Sequence, residues 1–368
     1  MNTIDSMVAP GPTGPGEALR PRRRTRARWP IILVFGLVFV IAASYITLPY
    51  YSVAPGSARQ VNDLIRVPKE RAFPPQGKVY LATVSLQRAT PVGALVGWLD
   101  SDTNVVPEER ILGKAPRGDY SEQNRQLMSE SKQVASVVAL RQLGYPVAEH
   151  GAGGVVVAVE KGTPADGHLS PDEVIIAVDG RPAMLASEAV AVIRGHSPGD
   201  VVRLEVRNVD GAVRTEQVTL AANPRRPGGF LGVTILTKDQ RFDYPFEVNI
   251  ESGDIGGPSA GLAYTLGVLD ALTAGELTGG KLVATTGTME IDGTVGNVGG
   301  VAQKTAAVRA AGAEYFLVPP DEYEEARSRA GNNLKVMKAG SLTEALSVLS
   351  GLGGDVSALA KAPAGARD

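Results

Sequence analysis

The sequence predicts a mixed α/β (α+β) protein with a single N-terminal transmembrane helix, and three observations predict it. An uncharged apolar run, Ile31 to Leu48, follows directly on a cluster of arginines. Stretches rich in β-branched and aromatic residues, such as Lys78–Leu86 and Tyr315–Val318, alternate with helix-like ones, such as Ser121–Leu143 and the segment after Ser259. The 43 Gly and 25 Pro among 368 residues divide the chain into many short elements.

The N-terminal part changes character abruptly. Arg20, Arg22, Arg23, Arg24, Arg26 and Arg28 precede the apolar run, whose eighteen residues as a helix span ~27 Å against the ~30 Å of a hydrocarbon core. Trp29 and Tyr50-Tyr51 stand at its two ends, where interfacial aromatics are favoured, and the arginines mark the cytoplasmic side. A secretory signal peptide is the competing reading, with an apolar core of ~7–15 residues and a small-residue cleavage site. Only Ser52-Val53-Ala54 offers such a site. Residues 1–29 therefore read as an unstructured basic cytoplasmic segment, 30–49 as the membrane helix and 50–77 as a polar connector to an extracytoplasmic remainder. A nucleic-acid role for the arginines is weaker, because they abut a spanning segment and the net charge is only −2.

At ~150 residues per domain the chain has room for two or three units. Zero cysteines exclude a cysteine nucleophile, a disulfide framework and Cys-ligated zinc, and only His150, His168 and His196 are present. No metal and no cofactor are expected. Leu127, Val134, Val138 and Leu140, set among Glu, Lys, Gln and Arg, give the stretch from Ser121 a helical period that Gly144 and Pro146 close.

Residues 151–222 form a distinct cassette, GAGGVVVAVEKGTPADGHLSPDEVIIAVDGRPA followed by PGDVVRLEVRNVDGAVRTEQVTL. It resembles a PDZ domain. TPADGHL is similar to that family's S-P-A-x-x-x-L stretch, DEVIIAVDG to its G-D-x-I-x-x-V-D-G core, and Gly153-Gly154-Val155-Val156 to its carboxylate-binding loop. The resemblance implies binding of peptides, C-terminal tails among them, on a Gly-rich loop and an open strand edge.

The chemistry is expected further on, in FEVNIESGDIGGPSAGLAYTLGVLDAL. Leu262, Leu266 and Leu269 recur at helical spacing, so Ser259 stands at a helix N-terminus, where free N–H groups favour a developing oxyanion. Gly256, Gly257 and Gly261 leave room for a substrate backbone. By itself a serine before a helix is more often an N-cap. With histidine scarce, lysine is the available base, provided burial lowers its pKa from ~10.4 by ~3 units. Lys304, at the start of an Ala/Val-rich helix, fits; Lys281 is the rival, but it stands beside Gly279-Gly280 at the solvent end of an expected strand, and a surface lysine is the ordinary reading of each.

GDIGGPSAG resembles the Lon protease motif around its serine, and TTGTMEIDGTVGNVGGVAQKTAAVRAAGAEYFLVP is similar to the Lon segment with T-G-E-I and G-G-x-x-x-K. LMSESKQVASVVALRQLG is similar to the Lon helix that precedes the serine. The resemblance implies Ser259 as nucleophile, Lys304 as general base and Thr286 as a hydroxyl that orients Lys304. It further implies one Lon-type domain in two parts, 78–150 and 223–352, split by the inserted PDZ domain, with 353–368 a disordered tail. Lon-type domains commonly assemble into rings, so a homo-oligomer is expected.

No phosphate-binding loop matches: Gly299-Gly300-Val301-Ala302-Gln303-Lys304-Thr305 has Gln303 where that loop needs glycine. The expected activity is ATP-independent endopeptidase action on unfolded or flexible segments outside the cytoplasm. A membrane-tethered PDZ adaptor without catalysis and a tail-specific processing protease are the alternatives.

Overall fold

The computed structural model describes residues 29–74, 78–113, 117–223 and 228–361; all of the expected basic segment except Trp29 lies outside the described residues. In chain order come α1 (Trp29–Tyr45), β1 (Tyr50–Gln60), β2 (Ile65–Arg66), β3 (Lys78–Arg88), α2 (Pro91–Leu99), β4 (Asn104–Pro107), α3 (Glu108–Leu112) and α4 (Arg117–Gln142). Next are β5 (Ala148–His150), β6 (Gly154–Val159), β7 (Val174–Val178), β8 (Arg181–Pro182), α5 (Ala186–Arg194), β9 (Val201–Arg207), β10 (Val213–Thr219), β11 (Ala221–Ala222), β12 (Gly229–Phe230) and β13 (Val233–Thr237). The chain then runs through β14 (Arg241–Asp243), β15 (Asn249–Ile250), α6 (Gly261–Leu272), β16 (Leu282–Thr285), β17 (Thr288–Met289), β18 (Val295–Gly296), α7 (Val301–Ala310), β19 (Tyr315–Val318), α8 (Tyr323–Arg329), β20 (Lys335–Lys338) and α9 (Leu342–Gly351).

Two sheets organise these elements. The first has the order β20-β19-β16-β3-β1-β4, with β20, β19, β16 and β3 parallel and β1 antiparallel to both its neighbours. Both of its faces are covered, and the period-2 alternation of its strands shows it. Leu81, Val283 and Leu317 join the core formed with α4, α6 and α9, while Ala82, Ala284, Phe316 and Val318 join the core formed with α7 and α8. α6 is buried on all sides, as an apolar helix between a sheet and a second helix must be.

The second sheet, β10-β9-β7-β6-β13, is antiparallel and packs on α5 around its own core. It is the inserted cassette, and it reaches beyond 222: β13 lies within the region assigned by sequence to the catalytic part, yet pairs with β6. The short ladder of β5 with β14 joins the two sheets' units.

Three expectations change at this level. The segment 50–77 is no connector, because Tyr50–Gln60 forms an eleven-residue strand between β3 and β4, with a register shift at Pro55–Ala58 that accommodates the proline. The tail is ordered as far as Lys361, since Leu359 is buried in the main core and the Asp355 N–H donates to the Glu276 carbonyl. The expected span 30–49 is helical only to Tyr45. α1 has 17 residues, and among the described residues no helix is long and apolar enough to cross a membrane.

Candidate active site

Ser259 stands two residues ahead of α6, in a Gly-rich turn that α4 holds in place. The Gly257 N–H donates to the Asn124 carbonyl at 3.0 Å, and the Ser131 hydroxyl donates to the Pro258 carbonyl at 3.1 Å. Gly257 has φ +85°, a conformation side chains resist, and Gly256 and Gly257 line the cavity beside Ser259. Gly261 does not face it. A Cβ there would stand 2.5 Å from the Met289 nitrogen, so this glycine lets α6 pack against β17 rather than admitting substrate.

Lys304 lies on α7, on the opposite face of the sheet, and its side chain is 2% exposed. Its Nζ donates to the Thr286 Oγ1 at 3.1 Å, and the Thr286 hydroxyl donates in turn to the Ser259 carbonyl at 3.3 Å. Thr286, just past the end of β16, is tied by its N–H to Leu317 of β19. The three residues proposed from sequence as one machinery are thus joined through Thr286. Lys281 lies at the far end of β16, outside both cavities that Ser259 and Lys304 share.

Burial pushes the Lys304 ammonium down to about 8, from 10.5, because few water molecules remain to solvate the charge; the carboxylate of Glu322 opposes the shift. Glu322 is itself buried, on the turn after β19, where desolvation raises its carboxyl. It accepts from the Val298 N–H, and the neighbouring Asp321 accepts from the Asn297 side chain at 3.1 Å, so this acidic turn holds the loop that walls the cavity. Sequence reasoning missed Glu322, since DEYEE reads as ordinary acid at a helix start.

Two cavities meet at the pair. One, of about 610 Å³, has Asn124, Gly256, Gly257 and Val298 in its lining; the other, of about 460 Å³, runs between Pro55–Arg59 of β1 and Leu81–Ser85 of β3. Ser259 and Lys304 line both. Among the described residues no group of three His, Asp or Glu side chains could hold a metal ion.

The expected carboxylate loop is placed differently. Gly154 and Val155 pair with β7 on one side and with β13 on the other, so this part of β6 has no open edge. The open edge belongs to β13, and a cavity of about 410 Å³ lies between it and α5, lined by Ile193, Arg194, Phe230, Leu231, Gly232 and Ile235 among others. Gly232, at φ +85°, is pressed against Thr163, where a Cβ would come within 2.1 Å.

Comparison with known proteins agrees with this division. The family model for the Lon protease (S16) C-terminal proteolytic domain matches residues 243–349, and that for the PDZ domain matches 140–220, stopping short of β12 and β13. No curated protein matches the chain. Among solved structures, the PDZ domain of an SdrC-like protein from Listeria innocua shares 22% identity, covering 23% of this chain and 92% of that one with a TM-score of 0.21. Its counterpart from Listeria monocytogenes shares 21%, covering 23% and 87% at 0.22. A solution structure from Geobacillus thermodenitrificans shares 32%, covering 23% and 97% at 0.20.

Fold and site together define the class as a serine-type peptidase with a peptide-binding module. More particularly, with a PDZ domain inserted ahead of a Lon proteolytic domain, the chain is a PDZ-containing Lon-type protease.

Proposed function

We propose that the chain is a membrane-anchored, ATP-independent serine endopeptidase with a Ser259–Lys304 dyad, acting on unfolded or flexible protein segments outside the cytoplasm. The observation that carries the reading is the buried Lys304, bonded to Thr286, which is bonded to the backbone of Ser259 in a shared cavity. Neutral Lys304 takes the Ser259 proton as Oγ attacks the peptide carbonyl, then returns it to the leaving amine; water, deprotonated by the same lysine, hydrolyses the acyl-enzyme and restores the serine proton. The Gly261 and Leu262 N–H groups are taken by the Pro258 and Gly287 carbonyls, so it is the positive end of the α6 dipole that favours the oxyanion. Two cavities flanking one nucleophile suit a chain that continues on both sides of the cleaved bond, which favours an endopeptidase over a trimming enzyme. The anchor is α1 with the apolar residues that follow it, and its orientation rests on the arginines before it.

Peptide recognition is assigned to the groove between β13 and α5 rather than to Gly153–Val156. An extended segment added to the open edge of β13 would bring its C-terminal carboxylate toward the Gly228–Gly232 turn, with Arg194 in the same cavity to balance the charge.

The deciding assay is hydrolysis of an unfolded protein by the full chain in detergent, with and without ATP. Parent cleaves at internal bonds equally in both, and Ser259→Ala and Lys304→Ala are silent. No fluorophosphonate labelling of the parent at Ser259 would leave the PDZ adaptor as the better reading.

A further inference from the structure

α2, Pro91–Leu99, carries no charged and no polar side chain, and it is folded with its large residues outward. Trp98 is 85% exposed, Leu99 80%, Val96 60% and Leu95 58%, whereas the buried residue is Gly97, seated against Thr103 and Val105. A helix facing water presents the reverse pattern. α2 packs against α1, where Leu33, Leu37, Val38 and Ile41 are also exposed. Backbone hydrogen bonds stitch the two together: the Leu48 N–H donates to Ala89 and the Ala89 N–H to Tyr50, so the chain leaves α1 within a few residues of where α2 begins.

We propose that α2 is a second membrane contact, lying in the boundary between headgroups and acyl chains beside the end of α1. This rests on the anchored reading given above. Length argues for lipid rather than a second copy of the chain. At 17 residues α1 reaches only ~25 Å, short of a ~30 Å hydrocarbon core, so a bilayer that contains α1 extends to its C-terminal end and meets the helix docked there. Composition agrees, since tryptophan favours that boundary and Arg88 and Asp100 flank the helix without entering it. The consequence is positional. β1 starts at this boundary and reaches the catalytic cavity at Pro55, about five residues or ~17 Å further on, so the cleft is held close to the membrane surface.

The chain has two tryptophans, Trp29 and Trp98, so Trp29→Phe leaves Trp98 as the one reporter and Trp98→Phe leaves Trp29. Each full-length variant is reconstituted into phosphatidylcholine–phosphatidylglycerol vesicles with acyl chains brominated near the headgroup. Trp98 emission is expected to fall at least twofold on bromination and to resist aqueous iodide. Trp98 quenched by iodide and not by bromolipid, with Trp29 quenched by bromolipid, overturns the inference and leaves the anchor standing. Trp98 shielded from both quenchers, with exposure to iodide regained on dilution of protein among lipid, assigns the face to a second copy and equally overturns it. If neither tryptophan responds to bromolipid, the anchored reading fails and this inference with it.

Discussion

The base proposed for this site, Lys304, is a lysine whose burial does two things at once. It lowers the Lys304 pKa to about 8, and it leaves the protonated form without solvation at any lower pH. Catalysis by the neutral amine therefore rises with pH, and kcat/KM against pH should show an acid limb centred near 8. Glu322→Gln keeps an acceptor for the Val298 N–H and removes the opposing charge, so the limb should move to lower pH; an unmoved limb would show the carboxylate to be only a loop clamp. Thr286→Val removes the lysine's acceptor at similar volume and should lower kcat/KM by about 10–100-fold in the same assay. Stability follows the same shift. A depressed folded pKa costs stability fully below about 8, and the cost vanishes as pH rises to the unfolded value of 10.5. Lys304→Met should accordingly be more stable than parent at pH 7 by up to about 3 kcal/mol in chemical denaturation, and the gain should shrink toward pH 10.5.

Among the elements, α6 carries the closest tolerance. Gly261 meets the backbone of β17 directly, so Gly261→Ala must separate helix and strand and should cost ~1–3 kcal/mol by thermal unfolding, with Ser259 displaced and activity lost even where the fold survives. This glycine was legible as special in GPSAG, but its role was not, because a sequence cannot say whether a missing Cβ makes room for substrate or for the protein's own strand. β1 was illegible for a related reason. Pro55 and Gly56 read as loop, and only the partner strand shows that a bulge absorbs the proline and that Gly56 lies against Thr83. The edge of β13 is the third such case. Its sequence, GFLGVTIL, has strand and turn character, yet whether a strand edge is free depends on which strands flank it.

At the scale of the molecule, the PDZ domain hangs on the β5–β14 ladder, in which His150 stands opposite Arg241 and His150 Nε2 pairs with Asp243 at 2.8 Å. Replacing residues 151–240 by Asn-Gly would close that ladder as a two-residue hairpin. The product should unfold cooperatively and keep Ser259-dependent hydrolysis of short unstructured peptides, while losing any preference conferred by a C-terminal tail; both are read by calorimetry and by competition between tailed and blocked substrates. The sequence by itself determined the candidate site: Ser259, Thr286 and Lys304 stand in local motifs, and hydrophobic period sets the helices and strands around them. Only the tertiary structure decided what those residues meet. Lys304 has its pKa lowered, as the proposed base requires, because it is buried where α7 meets the sheet and water is excluded around it. Burial and strand pairing belong to contacts between segments far apart in the chain, and no local pattern encodes them.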